Sequence, residues 1–459
     1  MSKINIENWK DEIIQKTCEI IKIPSVYEES NDAEIPFGKQ TKNALEYMLN
    51  LGEGLGFKTK NIDNYCGYIE FGEGEEMLGI IGHLDVVPAE DGWKYEPFGG
   101  TINNGRIYGR GAIDDKGPVM AALYAMKAVM EQCAVKKRVR LILGLNEERD
   151  WKCIEYYKKH EESPTVGFSP DADFPCIYAE KGLLTTYLEQ KISPNEKIQI
   201  TNIDCNANAI NVVPKYCRID LKISPEINRK ELRELIKTNE NTNIELLEEN
   251  EQIILIAHGM ASHAAHPDLG VNAISMLLLL LEKIFEKYNI KTELLKTFSE
   301  LIGMQHDGKD LGMACEDESG KLTVNVGNIS FENNCIKIGM NLRIPVTVKI
   351  KEIEEKFEKL ENSNIRVFFE GQKEPLYIDK DNYLVKTLCE TFNEVTGQNA
   401  EPIAIGGATY ARAFQNCVSF GANMPGEKDM CHQVDECISI QNLHDACQIY
   451  AEAIYKLTR

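Results

Sequence analysis

The sequence predicts an α/β protein: a layer with a mostly parallel sheet at the start of the chain, and a middle region of two similar lobes. Two observations carry this. Apolar strand-like runs at 78–82 and 140–145 flank a helical pattern at 118–130, and strand, helix, strand in that order produces parallel pairing. The middle, roughly 181–384, contains a weak repeat. Ile219-Asp220-Leu221-Lys222-Ile223-Ser224-Pro225 resembles Met340-Asn341-Leu342-Arg343-Ile344-Pro345, and charged helical patterns follow, ELRELIK at 231–237 and EIEEKFEKL at 352–360. A repeated strand-then-helix unit argues for two lobes; chance similarity of two amphipathic strands is the competing reading. Residues 8–22 have the spacing of an amphipathic helix. Residues 385–459 again read helix, strand, loop, helix.

Length and composition bound the function. The 459 residues suit two or three domains. A formal charge of −21 argues against nucleic acid or an anionic membrane as partner, and divalent cations would offset part of it locally. The start, MSKINIENWKDEIIQK, has early acidic residues and no apolar stretch behind them, so no signal peptide is expected. The longest apolar run, 276–281, is far too short to span a bilayer. The 14 cysteines show no paired spacing. Free thiols in the cytoplasm are the expectation.

Five short segments carry chemistry. His83-Leu84-Asp85 follows an apolar run, and a ligand at a strand end lies at the open edge of an α/β sheet. Asp85 is placed to accept the second ring N–H of His83 and fix its tautomer. Asp114-Asp115 form a carboxylate pair in a Gly-rich turn before a helix, costly unless cations neutralise it. Helix capping explains one Asp, not both with the Gly-rich approach. Asn146-Glu147-Glu148 ends another apolar run; in an extended segment adjacent side chains diverge, so one Glu faces a metal and the other a substrate. Ser169-Pro170-Asp171 and His432-Gln433 complete the set. Singly, each also reads as a structural His or a solvated loop. Together they are the ligand stock for two divalent ions about 3.5–4 Å apart.

The ordered motifs HLDVVP (83–88), GRGAIDDKGP (109–118), NEERDWKC (146–153), SPDADFP (169–175), EKG (180–182), INVVP (210–214), NLRIP (341–345), GGATYAR (406–412) and MPGEKDMCHQVDE (424–436) resemble those of the aminoacylase/carboxypeptidase-G metallopeptidases. The tail Trp151-Lys152-Cys153 and the long middle resemble the PepV-type dipeptidases among them. The resemblance implies a zinc-peptidase-like catalytic domain at 1–180 plus 389–459, interrupted by a two-lobed α+β lid at 181–388. It implies that His83 and Asp171 hold one metal, His432 and Glu148 the other, with Asp114 bridging and a cis peptide to Asp115. Glu147 would be the general base and Asp85 would orient His83.

A water between two such metals has its pKa lowered toward neutrality, and Glu147 would move its proton to the leaving amine. By the same resemblance His263, in GMASHAAHPDLGVNA (259–273), and Asn211 would face the oxyanion. A polar loop capping the helix near Asn272 is the bland alternative for His263, and His266 takes no role. Arg343 pairs well with a free carboxylate, and the turn Gly406-Gly407-Ala408-Thr409 offers backbone N–H groups. In the repeat Lys222 occupies the position equivalent to Arg343 and reads as its structural copy. Cys431 and Cys437 depart from the family pattern; Cys431 reads as a small buried spacer, with a redox-sensitive thiol as the alternative.

The expected function is a metal-dependent dipeptidase, monomeric because both lobes lie in one chain, acting on dipeptides with zinc, or manganese or cobalt. An acyl-amino-acid or succinyl-diaminopimelate amidohydrolase would share the metal site. A non-catalytic metal-bound binding protein would not need Glu147 and His263.

Overall fold

The computed structural model describes residues 4–205, 209–237, 243–249 and 252–459, and its chain divides into two units. The first comprises Met1–Ala179, Leu376–Ile403 and Ala408–Arg459; the second comprises Glu180–Pro375 and Ala404–Gly407. The chain thus re-enters the first unit at Leu376, ahead of the 389 read from sequence. Position 389 falls inside the helix Tyr383–Thr396, which Asn382 caps through its side chain and Gly397 ends at φ 71°. A continuous helix packs as one body, so the boundary must precede it.

In the first unit a mixed sheet runs Lys58–Ile62, Cys66–Phe71, Arg138–Gly144, Met77–His83, Val166–Ser169, Cys417–Ser419 and onward. Its four central strands, from Arg138–Gly144 to Cys417–Ser419, are mutually parallel. The first two are antiparallel additions, and Ile177 pairs antiparallel with Ser419. The expected mostly parallel sheet therefore holds at the centre only. The turn at 63–65 joins its two strands too tightly for a crossover, and such a hairpin pairs only antiparallel. Met77–His83 is buried along its whole length. The helix Lys116–Gln132 is buried on nearly every side because it lies between the sheet and the helix Ile440–Thr458.

The second unit contains two four-stranded antiparallel sheets. In one, the hairpin Ile198–Asp204/Tyr216–Ile223 is followed by the helix Arg229–Lys237 and the strand Ile244–Glu249; Gln252–His258 lies between the second and last strands. In the other, the hairpin Thr323–Glu332/Cys335–Ile344 is followed by the helix Ile350–Glu358 and the strand Arg366–Lys373, with Gly182–Lys191 inserted at the equivalent place. The repeat seen in sequence falls on equivalent strands of the two sheets. One apolar core serves both, including Leu221 and Leu342 from those strands and Leu277 and Leu281 from the helix Ala273–Lys287.

Candidate metal centre

Parallel strands bring their C-terminal ends to one edge of a sheet, and this edge collects the predicted ligands. His83 is the last residue of Met77–His83, Glu148 lies in the turn after Arg138–Gly144, and Asp171 follows Val166–Ser169. Asp114 sits just before the helix Lys116–Gln132, and its peptide bond to Asp115 is cis. His432 arrives on the loop before the strand Cys437–Ser439.

The two carboxylate oxygens of Asp114 are divided between the two histidines. Oδ1 is 3.0 Å from His83 Nε2 and Oδ2 is 3.0 Å from His432 Nε2. Asp171 Oδ2 lies 3.5 Å from His83 Nε2, and Glu148 Oε1 lies 3.0 Å from His432 Nε2. These make two ligand groups sharing Asp114: His83/Asp114/Asp171 and Asp114/Glu148/His432.

The donor chemistry fits cations. His83 Nδ1 is 3.0 Å from the backbone carbonyl of Asp85. A carbonyl only accepts, so Nδ1 carries the hydrogen and the neutral ring turns a bare Nε2 toward Asp114 and Asp171. Lone pairs facing lone pairs beside the buried His83 ring are repulsive unless a positive charge lies between them. Without metal, protons take that role. Burial lowers the His83 pKa, but Asp114, Asp171 and Asp85 reverse this and hold it well above the usual histidine range. Burial would lower His432 as well; Asp114 and Glu148 instead hold it up at about 11. Burial and the charge of Asp114 push Glu148 up to about 7 and raise Asp171.

Two expectations change. The Asp85 carboxylate is 3.5 Å from His83 Nδ1, further than its own backbone carbonyl. Its two oxygens accept instead from the backbone N–H groups of Glu147 and Glu148, at 3.1 Å each. Asp85 therefore chiefly fixes the turn that carries both glutamates. That turn, 147–150, is not extended, so strand alternation is not what separates Glu147 from Glu148. Glu148 belongs to a ligand group and Glu147 does not.

The second unit gathers most of the predicted substrate residues among themselves. Val212 bridges His263, and Ala264 N–H donates to the Asn211 carbonyl, which places exposed Asn211 and His263 on adjacent segments. Thr323, the register partner of Arg343, donates its hydroxyl to the Ala264 carbonyl. Arg343 is buried, donates from Nε to Asn341 Oδ1 at 2.9 Å and from Nη1 to the Gly406 carbonyl at 2.7 Å. A Cβ at Gly406 would meet Ala265 Cβ at 2.7 Å, which explains glycine there. Lys222, at the repeat position, is exposed. Thr409, expected to offer a backbone N–H, has its side chain engaged within the first unit. Its buried hydroxyl lies 2.7 Å from Ser419 Oγ and accepts from Ala411 N–H, holding the short helix Tyr410–Ala413.

Burial pushes the Cys431 thiol well up, which disfavours the thiolate a redox role requires. Asp115, given no ligand role, accepts the His83 backbone N–H through Oδ2 at 3.0 Å. The sequence also assigned no role to Arg110 and Glu436, which form a buried ion pair of 2.7 Å. Their place inside the motifs that supply Asp114 and His432 was the only signal.

A profile of Peptidase family M20/M25/M40 matches residues 79–456. The chain belongs to that family. It is 39% identical over 466 residues to the Bacillus subtilis (strain 168) protein named "Putative dipeptidase YtjP", covering all of this chain and 99% of the other. It is 34% identical to a Staphylococcus epidermidis protein with the same style of name, again over all of this chain and 99% of the other. Among solved structures it is similar to human carnosine dipeptidase 1, with a TM-score of 0.59 and 16% identity over 98% of this chain and 97% of that one. It is also similar to the M20 metallo-carboxypeptidase Sso-CP2 of Sulfolobus solfataricus, with a TM-score of 0.60 and 21% identity over 97% and 99%. These structures share its fold. No described helix is long and apolar enough to cross a membrane.

Proposed function

We propose that this member of the M20 peptidases is a dipeptidase that holds two divalent ions on His83, Asp114, Asp171, Glu148 and His432. The observation that carries the reading is the bridging position of Asp114, one oxygen 3.0 Å from each histidine. Mixed histidine and carboxylate ligands suit zinc, with manganese and cobalt next. Such ions supply Lewis acidity and make water a competent nucleophile near neutral pH.

The chain's own groups do the rest. Glu147, on the turn fixed by Asp85 but outside both ligand groups, takes the proton of the attacking water and returns it to the leaving amine. His263 and Asn211 donate to the carbonyl oxygen as it gains charge. Arg343 and the backbone of Gly406-Gly407 receive the free carboxylate that distinguishes a dipeptide from a longer chain. All 14 cysteines are free, which supports a reducing cytoplasmic setting. The two lobes within one chain support a monomer.

Glu147→Ala tests the assignment. Metal content by elemental analysis should stay near wild type while kcat on dipeptides falls by roughly 10²–10⁴-fold. Loss of both metals would mean that the roles of Glu147 and Glu148 are misassigned.

A further inference from the structure

The loops that carry Asp114 and His432 are tied together by one fully buried ion pair that coordinates nothing. Arg110 and Glu436 are 1% and 0% exposed. Glu436 Oε2 accepts from Arg110 Nη1 at 2.7 Å, while its Oε1 accepts the backbone N–H groups of Gly111, Ile113 and Asp114 at 3.0, 3.1 and 3.3 Å. Arg110 in turn donates to the backbone carbonyls of His432 and Gln433, at 3.4 and 3.5 Å, and of Pro88 at 3.4 Å. Each member of the pair thus grips the backbone of the ligand on the other's loop.

The two halves of the centre need this bracing unequally. His83 ends a strand that is paired on both sides as far as Ile80; His83 itself stands in register with Gly144 on one side and donates its backbone N–H to Asp115 Oδ2 at 3.0 Å. His432 stands in a loop without helix or strand, at φ +62°, a conformation an L-residue keeps only when its surroundings hold it. Its side chain is half exposed, so packing alone does not position it.

We propose that Arg110 and Glu436 are positioning residues that set the reach of His432 to Asp114, and so the metal affinity of the Asp114/Glu148/His432 half. This rests on the two-ion reading above. Outer partners that orient a ligand change metal affinity by about 10–100-fold when removed, and here the effect should fall on one half.

The test is calorimetric titration of the metal-free full-length chain with manganese, beside its thermal midpoint without metal. Wild type should show two binding events, and His432→Ala should identify the one that depends on His432. Glu436→Gln and Arg110→Met should weaken that event by about 10–100-fold and leave the other within about threefold. Arg110→Lys, which keeps the charge but loses the planar fork, should lie between; it also serves where Arg110→Met does not fold. A pair that only stabilises the fold would lower the thermal midpoint with both affinities unmoved, and that overturns the proposal, as does equal weakening of both events. A wild-type chain that binds no pair of ions overturns the two-ion reading and this inference together.

Discussion

Asp85→Asn separates the role the structure gives this residue from the one its sequence position implies. The Asp85 carboxylate is wholly buried and accepts two consecutive backbone N–H groups, Glu147 and Glu148, at 3.1 Å each. Asparagine keeps the shape but offers one carbonyl oxygen, and its amide turns a donor toward the second N–H. The loss is one bond to a charged acceptor, worth about 1.5–3 kcal/mol, plus a buried donor left unpaired. Since the turn carries Glu147, a cost of on the order of 3 kcal/mol felt in the transition state lowers kcat about 10²-fold. His83 keeps its Asp85 backbone acceptor, so the His83/Asp114/Asp171 half should bind metal as before, while the half containing Glu148 weakens. The assay is steady-state kinetics on a dipeptide at saturating metal, with metal affinities measured separately. An unchanged kcat, or a defect confined to the His83 half, would refute the assignment and return Asp85 to orienting the imidazole.

Two further outcomes follow from the same geometry. Gly406→Ala places a methyl 2.7 Å from Ala265 Cβ and must displace the carbonyl that Arg343 Nη1 donates to; KM for dipeptides should rise about tenfold or more with little change for dipeptide amides, and equal changes for both would reject the carboxylate role of Arg343. Because His432 is held up at about 11 in the metal-free chain, it is protonated at neutral pH and must lose that proton to ligate, so metal binding should release protons and tighten as pH rises from 7 to 9; equal calorimetric heats in buffers of different ionisation enthalpy would contradict this.

What the sequence made legible were features with a local cause. His83 ends, and Asp171 follows, a strand that is a short apolar run, and such runs show in the sequence without knowledge of their partners. The lobe repeat was visible because Leu221 and Leu342 fill matching places on equivalent strands that must each be apolar on one face. At the equivalent places of the repeat Lys222 is exposed and Arg343 is buried, a difference the strand pattern alone does not show. What the sequence did not show depends on which atoms meet. Asp85 lies two residues from His83, which suggested a carboxylate on the ring, yet the backbone carbonyl reaches Nδ1 first and frees the carboxylate for a turn some sixty residues on. The contact of the Thr409 hydroxyl with Ser419 likewise had no sign in the motif.

Arg110 and Glu436 are the extreme case, 326 positions apart. Periodicity has no term for a pairing at that distance, and neither residue bears a reactive group that draws notice. Yet a centre built from strand ends and loops needs something to hold the loops, because only the strands have a ladder of their own. The ligands of such a site can be read from chemistry. The residues that hold them still have to be sought in the fold, among buried charges that touch backbone rather than substrate.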